Sequence, residues 1–138
     1  YDDLVEQLGG HSVPAAGFAC GLERLIELVT LQDEETPIQS PGVYLAALGE
    51  RAELDAAQCA ERLRDSSIDV QINCGQGNIK KQLRRADNSG AAIALILDQE
   101  TAETSMIKLK PLRGQGGQTM VSSEQLLATV QTYLEKPD

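Results

Sequence analysis

The run AAIALIL, Ala91–Leu97, is the most apolar stretch of the chain. A short, unbroken apolar run fits a strand buried on both faces, as in a parallel sheet. It is therefore expected at the centre of a sheet, and the segments on either side follow from it. Immediately before it lies NIKKQLRRADNSG. Asn78 suits an N-cap, Gly90 suits a C-terminal stop, and Ile79, Leu83 and Ala86 form an apolar stripe, so this segment reads as a helix. Further upstream, DVQINCG (Asp69–Gly75) alternates Val70, Ile72 and Cys74, which predicts a strand toward the sheet edge. ELDAAQCAERLRDS repeats Ala56, Cys59, Ala60 and Leu63 at i, i+3, i+4, i+7, a helix whose small-residue face can pack closely on a sheet. VYLAALG (Val43–Gly49) is a second buried run, ended by glycine. Downstream, SMIKLKPL and GGQTMVS alternate in polarity around RGQG, as a β-hairpin does. SEQLLATVQTYL closes the chain as a helix with Leu126, Leu127, Val130 and Leu134 on one face.

The order is β-α-β-α-β, then two antiparallel strands, then a helix. Two right-handed crossovers give three parallel strands. The expected fold class is α/β: a five-stranded mixed sheet with helices on both faces. Before it, QDEETPIQSPG (Gln32–Gly42) carries two prolines, three consecutive acids and no apolar period, and reads as a linker. The organisation is thus a first piece, 1–31, a linker, 32–42, and the α/β domain, 43–138.

The net charge of −9 is unevenly placed: residues 1–42 hold eight acids and one base, residues 43–138 thirteen acids and eleven bases. Bulk charge would repel a nucleic acid, so any such binding must use a local patch. No apolar run approaches the about 20 residues of a membrane span, so no membrane partner is expected. Cys20, Cys59 and Cys74 lack metal-ligand spacing and His11 is the sole histidine, so no metal site is expected. The three thiols read as buried and reduced, in a cytoplasmic protein. With Tyr1, Phe18, Tyr44 and Tyr133 as the aromatic residues, the sheet has only Tyr44 to offer as a base-stacking platform.

Three features carry candidate chemistry, each with an ordinary alternative. Lys80 and Arg84, and Lys81 and Arg85, are i, i+4 neighbours, so four of the twelve bases gather on one helix. A phosphate backbone needs such a row; the alternative is a solvated helix face. NCGQGN (Asn73–Asn78) puts two glycines between a strand and a helix N-terminus, an anion nest or simply a tight turn. It lies at the carboxyl end of a parallel strand, where open α/β sheets bind ligands. In GFACGLERLIELV (Gly17–Val29), Arg24 lies off an apolar face of Leu22, Leu25, Ile26 and Val29. It reads either as a ligand-directed cation or as half of an exposed pair with Glu27.

Taken together, these stretches resemble bacterial histidyl-tRNA synthetases. YDDLVEQLGG followed by PAAGFACGLERL is similar to the end of that family's catalytic domain. The leading YD resembles the tail of its second histidine-specific signature. GFACGLERL resembles motif 3 of class II aminoacyl-tRNA synthetases, and GNIKKQLRRADNSGA the characteristic helix of the C-terminal anticodon-binding domain. The resemblance covers essentially the whole chain in order. Motifs 1 and 2, the first histidine signature and the Gly-Gly-Arg before Tyr1 do not occur in it, and Asp3 stands where many members have glycine.

The resemblance implies a remnant of a class II catalytic domain followed by an anticodon-binding domain. It implies that Arg24 is the motif 3 arginine on ATP phosphate, that Gly17 and Gly21 leave room beside the nucleotide, and that Tyr1 lines the pocket for the histidine substrate. It implies tRNA contact through Gly77, Asn78, Lys80, Lys81, Gln82, Arg84 and Arg85, with Asn78 and Gln82 as amides for splayed bases. The complete enzyme would be a cytoplasmic homodimer, joined through the catalytic domain, that activates histidine with ATP and Mg²⁺ and charges histidine tRNA. The 138 residues alone would bind tRNA without a cofactor and without making histidyl-adenylate. Two other readings stay open: a synthetase-like regulatory subunit of the kind that supports ATP phosphoribosyltransferase, and a small-ligand α/β domain using the glycine turn as a phosphate nest.

Overall fold

The computed structural model describes residues 1–32, 40–75, 77–114 and 116–135. The chain divides into two compact units, Tyr1–Ile38 and Gln39–Asp138. Most of the segment read as a linker lies outside the described residues.

The first unit holds α1 (Leu4–Gln7) and α2 (Leu22–Gln32). None of its described residues is buried. Phe18 is 93% exposed, and Leu22, Leu25, Ile26 and Val29, the apolar face expected on α2, are all exposed. Apolar residues of this number normally build a core; here they build none.

The second unit is the mixed sheet. Its elements run β1 (Val43–Ala47), α3 (Glu50–Arg64), β2 (Val70–Ile72), α4 (Ile79–Asn88), β3 (Ile93–Leu97), α5 (Gln99–Thr104), β4 (Met106–Pro111), β5 (Thr119–Ser122) and α6 (Leu126–Leu134). The strand order is β2-β1-β3-β4-β5. β1 pairs in parallel with β2 and β3, while β3–β4 and β4–β5 are antiparallel. The run 91–97 indeed supplies the middle strand: every residue of β3, like every residue of β1, is buried.

The two faces differ. Val43, Leu45, Ile93, Leu95 and Leu109 point to one side, where the small residues Ala52, Ala56, Cys59 and Ala60 let α3 approach and Leu126 and Val130 anchor α6. Tyr44 and Ala94 point to the other, under Ala86 of α4, with Leu83 and Leu112 half-buried at the margin. Helices therefore cover both faces, as the pattern predicted.

Three details depart from the sequence reading. The first is α5, which the pattern analysis did not resolve; it is six residues long and nucleated by a capping box between Asp98 and Thr101. The second concerns the cysteines. Cys59 is buried, and burial pushes its thiol up to about 11 against the pull of Arg62, but Cys20 and Cys74 are exposed. Cys74 escapes burial because β2 ends at Ile72, so the alternation that would have turned it inward has no sheet beneath it. The third is α4, whose centre toward the sheet is Gln82 with Ala86, while Ile79 and Leu83 are only half-buried.

Candidate nucleic-acid interface

β1, β2 and β3 end on the same side of the sheet because they are parallel, and the chain leaves β2 there through Asn73–Asn78 into α4. The turn needs its glycines: Gly75 has φ +105° and Gly77 φ +146°, a left-handed region in which a side chain is strained. Asn78 caps the helix, its side chain accepting from the Lys81 N–H at 3.0 Å. That satisfies one of the free donors of the first turn, and the others point out of the helix end.

Lys80, Lys81, Arg84 and Arg85 are all exposed on α4. The side chains of Lys80, Lys81 and Arg84 make no hydrogen bond or ion pair with any described residue. Arg85 differs: its Nη1 donates to Asn73 Oδ1 at 3.1 Å and lies 3.5 Å from the Gly75 carbonyl. The same Asn73 Oδ1 accepts from the Tyr44 hydroxyl at 3.0 Å, and Asn73 Nδ2 donates to the Gly75 carbonyl at 2.7 Å. Tyr44 is 2% exposed, which removes it as a stacking platform. Burial raises its phenol above the ordinary value, while Arg85 pulls it back, so it is a proton donor at neutral pH.

Gln82 is placed otherwise than the resemblance implied. It is 3% exposed. Its Oε1 accepts from the Ala47 N–H at 2.9 Å, and its Nε2 donates to the carbonyls of Ala47 at 2.7 Å and Gly77 at 3.1 Å. The amide expected to face a splayed base is instead turned into the domain. β2 pairs with β1 no further than Leu45, so the side chain of Gln82 stands in for the peptide that a longer β2 would have offered Ala47.

The other cations of the domain are mostly spent on structure. Lys108 Nζ lies 2.6 Å from Asp98 and 2.7 Å from Glu100. Arg113 grips the Asp87 carboxylate at 2.6 Å and its carbonyl at 2.7 Å. Arg62 holds Ser123, and Arg51 and Arg64 pair along α3 with Asp55 and Glu61. Beside the glycine turn, Ala47, Glu53, Ile72, Asn73 and Gly75 line a cavity of about 380 Å³. A carboxylate in that lining works against an anion, which weakens the phosphate-nest reading.

In the first unit, the ring of Tyr1 lies against the backbone at Gly17, where an added Cβ would sit 3.3 Å from Tyr1 Cε2. The Tyr1 backbone nitrogen donates to the Ala15 carbonyl at 2.9 Å. Gly21 immediately precedes α2, its carbonyl accepting from the Leu25 N–H at 3.2 Å. The Arg24 side chain forms no ion pair or hydrogen bond with Glu27 or any other described residue, so the exposed-pair alternative is not what the structure adopts. Among the described residues no cluster of histidine, cysteine or carboxylates could hold a metal ion, and no helix is long and apolar enough to cross a membrane.

The sequence reading took Asn73 only as part of the glycine turn and Tyr44 only as a stacking aromatic, and missed that their side chains meet. Their meeting across 29 residues leaves no local trace; the one available signal was an asparagine at the carboxyl end of a parallel strand, next to a glycine turn.

The chain is similar to histidine–tRNA ligase of Aromatoleum aromaticum, 45% identical over 130 residues, and to that of Dechloromonas aromatica, 47% identical over 116. These alignments take in 94% and 84% of the chain but 30% and 27% of those relatives, so the chain spans about 30% of the length of the curated proteins it matches. Among solved structures it resembles histidyl-tRNA synthetase from Nostoc sp. (TM-score 0.65, 23% identity, 83% of this chain and 28% of that one). It also resembles the RNA binding domain of threonyl-tRNA synthetase from Cryptosporidium parvum (TM-score 0.63, 15% identity, 69% and 24%). At these identities the two likenesses concern the fold. The family described as anticodon binding domain matches residues 42–133, the span from the start of β1 almost to the end of α6, and the chain belongs to that family.

Proposed function

We propose that residues 43–138 bind the anticodon region of histidine tRNA on behalf of a histidine–tRNA ligase, and that α4 with the turn before it makes the principal contact. One observation carries this. On an acidic chain, Lys80, Lys81 and Arg84 form an exposed row with no partner among the described residues. Phosphate contacts of this type release counterions and set affinity, whereas splayed anticodon bases are read by hydrogen bonds. Asn78 and the backbone at Gly77 sit beside the row; Gln82 serves the fold.

The first piece, 1–31, belongs to the catalytic domain in this reading. Its exposed apolar residues pack against the rest of that domain, through which the enzyme dimerises, and Arg24 reaches the ATP phosphates. A guanidinium suits that role because it stays charged and forks onto phosphate oxygens. Tyr1 contacts the histidine substrate, ATP enters with Mg²⁺, and the enzyme works in the cytoplasm. A regulatory subunit is disfavoured, since such subunits generally lack an anticodon-binding domain.

The test replaces Lys80, Lys81 and Arg84 with Gln in the 138-residue chain and measures binding of a histidine tRNA transcript against salt concentration. The log–log slope should fall by about 0.7 for each single-strand contact removed, or about 2 in all. Unchanged affinity and slope in a folded variant would place the contact elsewhere. The β4–β5 hairpin, where the Lys110 side chain also lacks a partner among the described residues, would then be the contact. A histidine-dependent pyrophosphate exchange assay on the same chain should stay at background.

A further inference from the structure

We infer that Asn73, held by the buried hydroxyl of Tyr44, is a positioning residue that aims Arg85 and the glycine turn at a tRNA phosphate; this rests on the reading of α4 as the tRNA contact.

Four observations converge on Asn73. Its backbone is fixed, because its N–H donates to the Leu45 carbonyl at 2.9 Å and extends the β2–β1 ladder by one bond. Its Oδ1 accepts two donors at once, from Tyr44 at 3.0 Å and Arg85 at 3.1 Å. Its Nδ2 donates to the Gly75 carbonyl at 2.7 Å. Finally, Tyr44 lies in the core with Ala86, Ala91 and Ala94, so its hydroxyl is delivered from a rigid strand. Together these bonds tie an exposed arginine and the glycine turn to the sheet interior.

The physical consequence is preorganisation. A long side chain loses rotamer freedom on binding, and fixing it beforehand lowers that cost. Arg85 is exposed yet oriented, whereas Lys80, Lys81 and Arg84 must be ordered by the RNA itself. Gly75, at φ +105°, has its carbonyl held by the Asn73 amide. Arginine suits this role better than lysine, because its planar guanidinium carries five N–H donors and can keep its bond to Asn73 while others contact a phosphate.

The experiment is a double-mutant cycle in the 138-residue chain. Binding of a histidine tRNA transcript is measured across salt concentrations for Asn73→Ala, Tyr44→Phe, Arg85→Gln and the double variants with Arg85→Gln. One single-strand phosphate contact carries a slope of about 0.7, equivalent to about fourfold in affinity at 0.15 M salt. Arg85→Gln should show both losses. Asn73→Ala and Tyr44→Phe should show a weaker affinity and a reduced slope, and neither should weaken binding further once Arg85 is Gln. Loss by general loosening of the domain would instead add to Arg85→Gln and leave the slope unchanged, and that result overturns the inference. So does wild-type binding by both Asn73→Ala and Tyr44→Phe. Tyr44→Phe keeps the ring in the core and carries the test if Asn73→Ala does not fold. The Lys80, Lys81 and Arg84 triple variant separates the two claims. If it binds normally, the interface reading fails and the positioning role falls with it. If it weakens binding while the Asn73 and Tyr44 variants do not, the positioning role alone is refuted.

Discussion

Replacing Gln82 tests whether a side-chain amide completes the sheet where β2 stops. Gln82→Leu keeps the approximate volume and removes both functions. In its place Ala47 is left with an N–H and a carbonyl that lose partners at 2.9 and 2.7 Å, in surroundings where Ala47 is 7% exposed. Each buried polar group left unpaired costs about 1–3 kcal/mol, so Gln82→Leu should lose about 2–6 kcal/mol against a total domain stability of about 5–15 kcal/mol. Gln82→Glu gives a sharper signature. A protonated Glu can accept from Ala47 N–H and donate to Ala47 O, as the amide does; an ionised one places a charge against two carbonyls. The new carboxyl should therefore titrate above its ordinary value of about 4.3. A raised folded-state value means that stability is retained below the unfolded value and falls as pH rises through the folded one. Urea unfolding followed by circular dichroism, from pH 4 to 8, should show Gln82→Glu approaching the parent at the acid end and diverging toward neutrality. If Gln82→Leu lies within about 0.5 kcal/mol of the parent with an unchanged m-value, the bonds to Ala47 contribute nothing and the argument is wrong.

Two further outcomes follow from the geometry. An alkylating reagent under native conditions should label Cys20 and Cys74, which are exposed, and spare Cys59, whose buried thiol sits at about 11; rapid modification of Cys59 before unfolding would contradict the packing of α3 on the sheet. Burial pushes Asp98 up, but the Lys108 ammonium and the Thr101 N–H outweigh it and hold it below the ordinary range, while Lys108 is raised by Asp98 and Glu100. The Asp98 contribution is therefore present above about pH 4 and is lost as pH falls through the lowered value, whereas that of Lys108 persists until strongly alkaline pH. Asp98→Asn keeps a competent cap but loses the charge pair, so it should cost about 1 kcal/mol at pH 7 and flatten the acid limb of the stability profile; an unchanged acid limb would assign the pH dependence to other carboxylates.

Much of this architecture is local physics and was legible in the chain. Two runs with no charged interruption, 43–47 and 91–97, fit burial on both faces, and the helical patterns between the strands supply the crossovers that make β2, β1 and β3 parallel. The small-residue stripe of α3, the Asn78 cap and the Gly90 stop follow from residue chemistry over a few positions. So does the basic row of α4, since i, i+4 spacing fixes which charges share a side.

What the sequence by itself could not determine is which of those polar residues the fold would consume. Gln82 and Arg85 look alike in the sequence, as polar residues of α4 outside the stripe of Ile79, Leu83 and Ala86. Tertiary packing separates them: β2 ends two residues short of β1, and the resulting gap at Ala47 draws the Gln82 amide inward. Arg85 is drawn to Asn73 because Tyr44, 29 positions earlier, fixes that asparagine from the core. Nor could spacing tell that Lys108 and Arg113 would be paired with acids while Lys80, Lys81 and Arg84 stay unpartnered among the described residues. Charge along a chain is a local property. Whether a charge is spent internally or left for a ligand depends on contacts between residues far apart in sequence, and only the folded domain decides it.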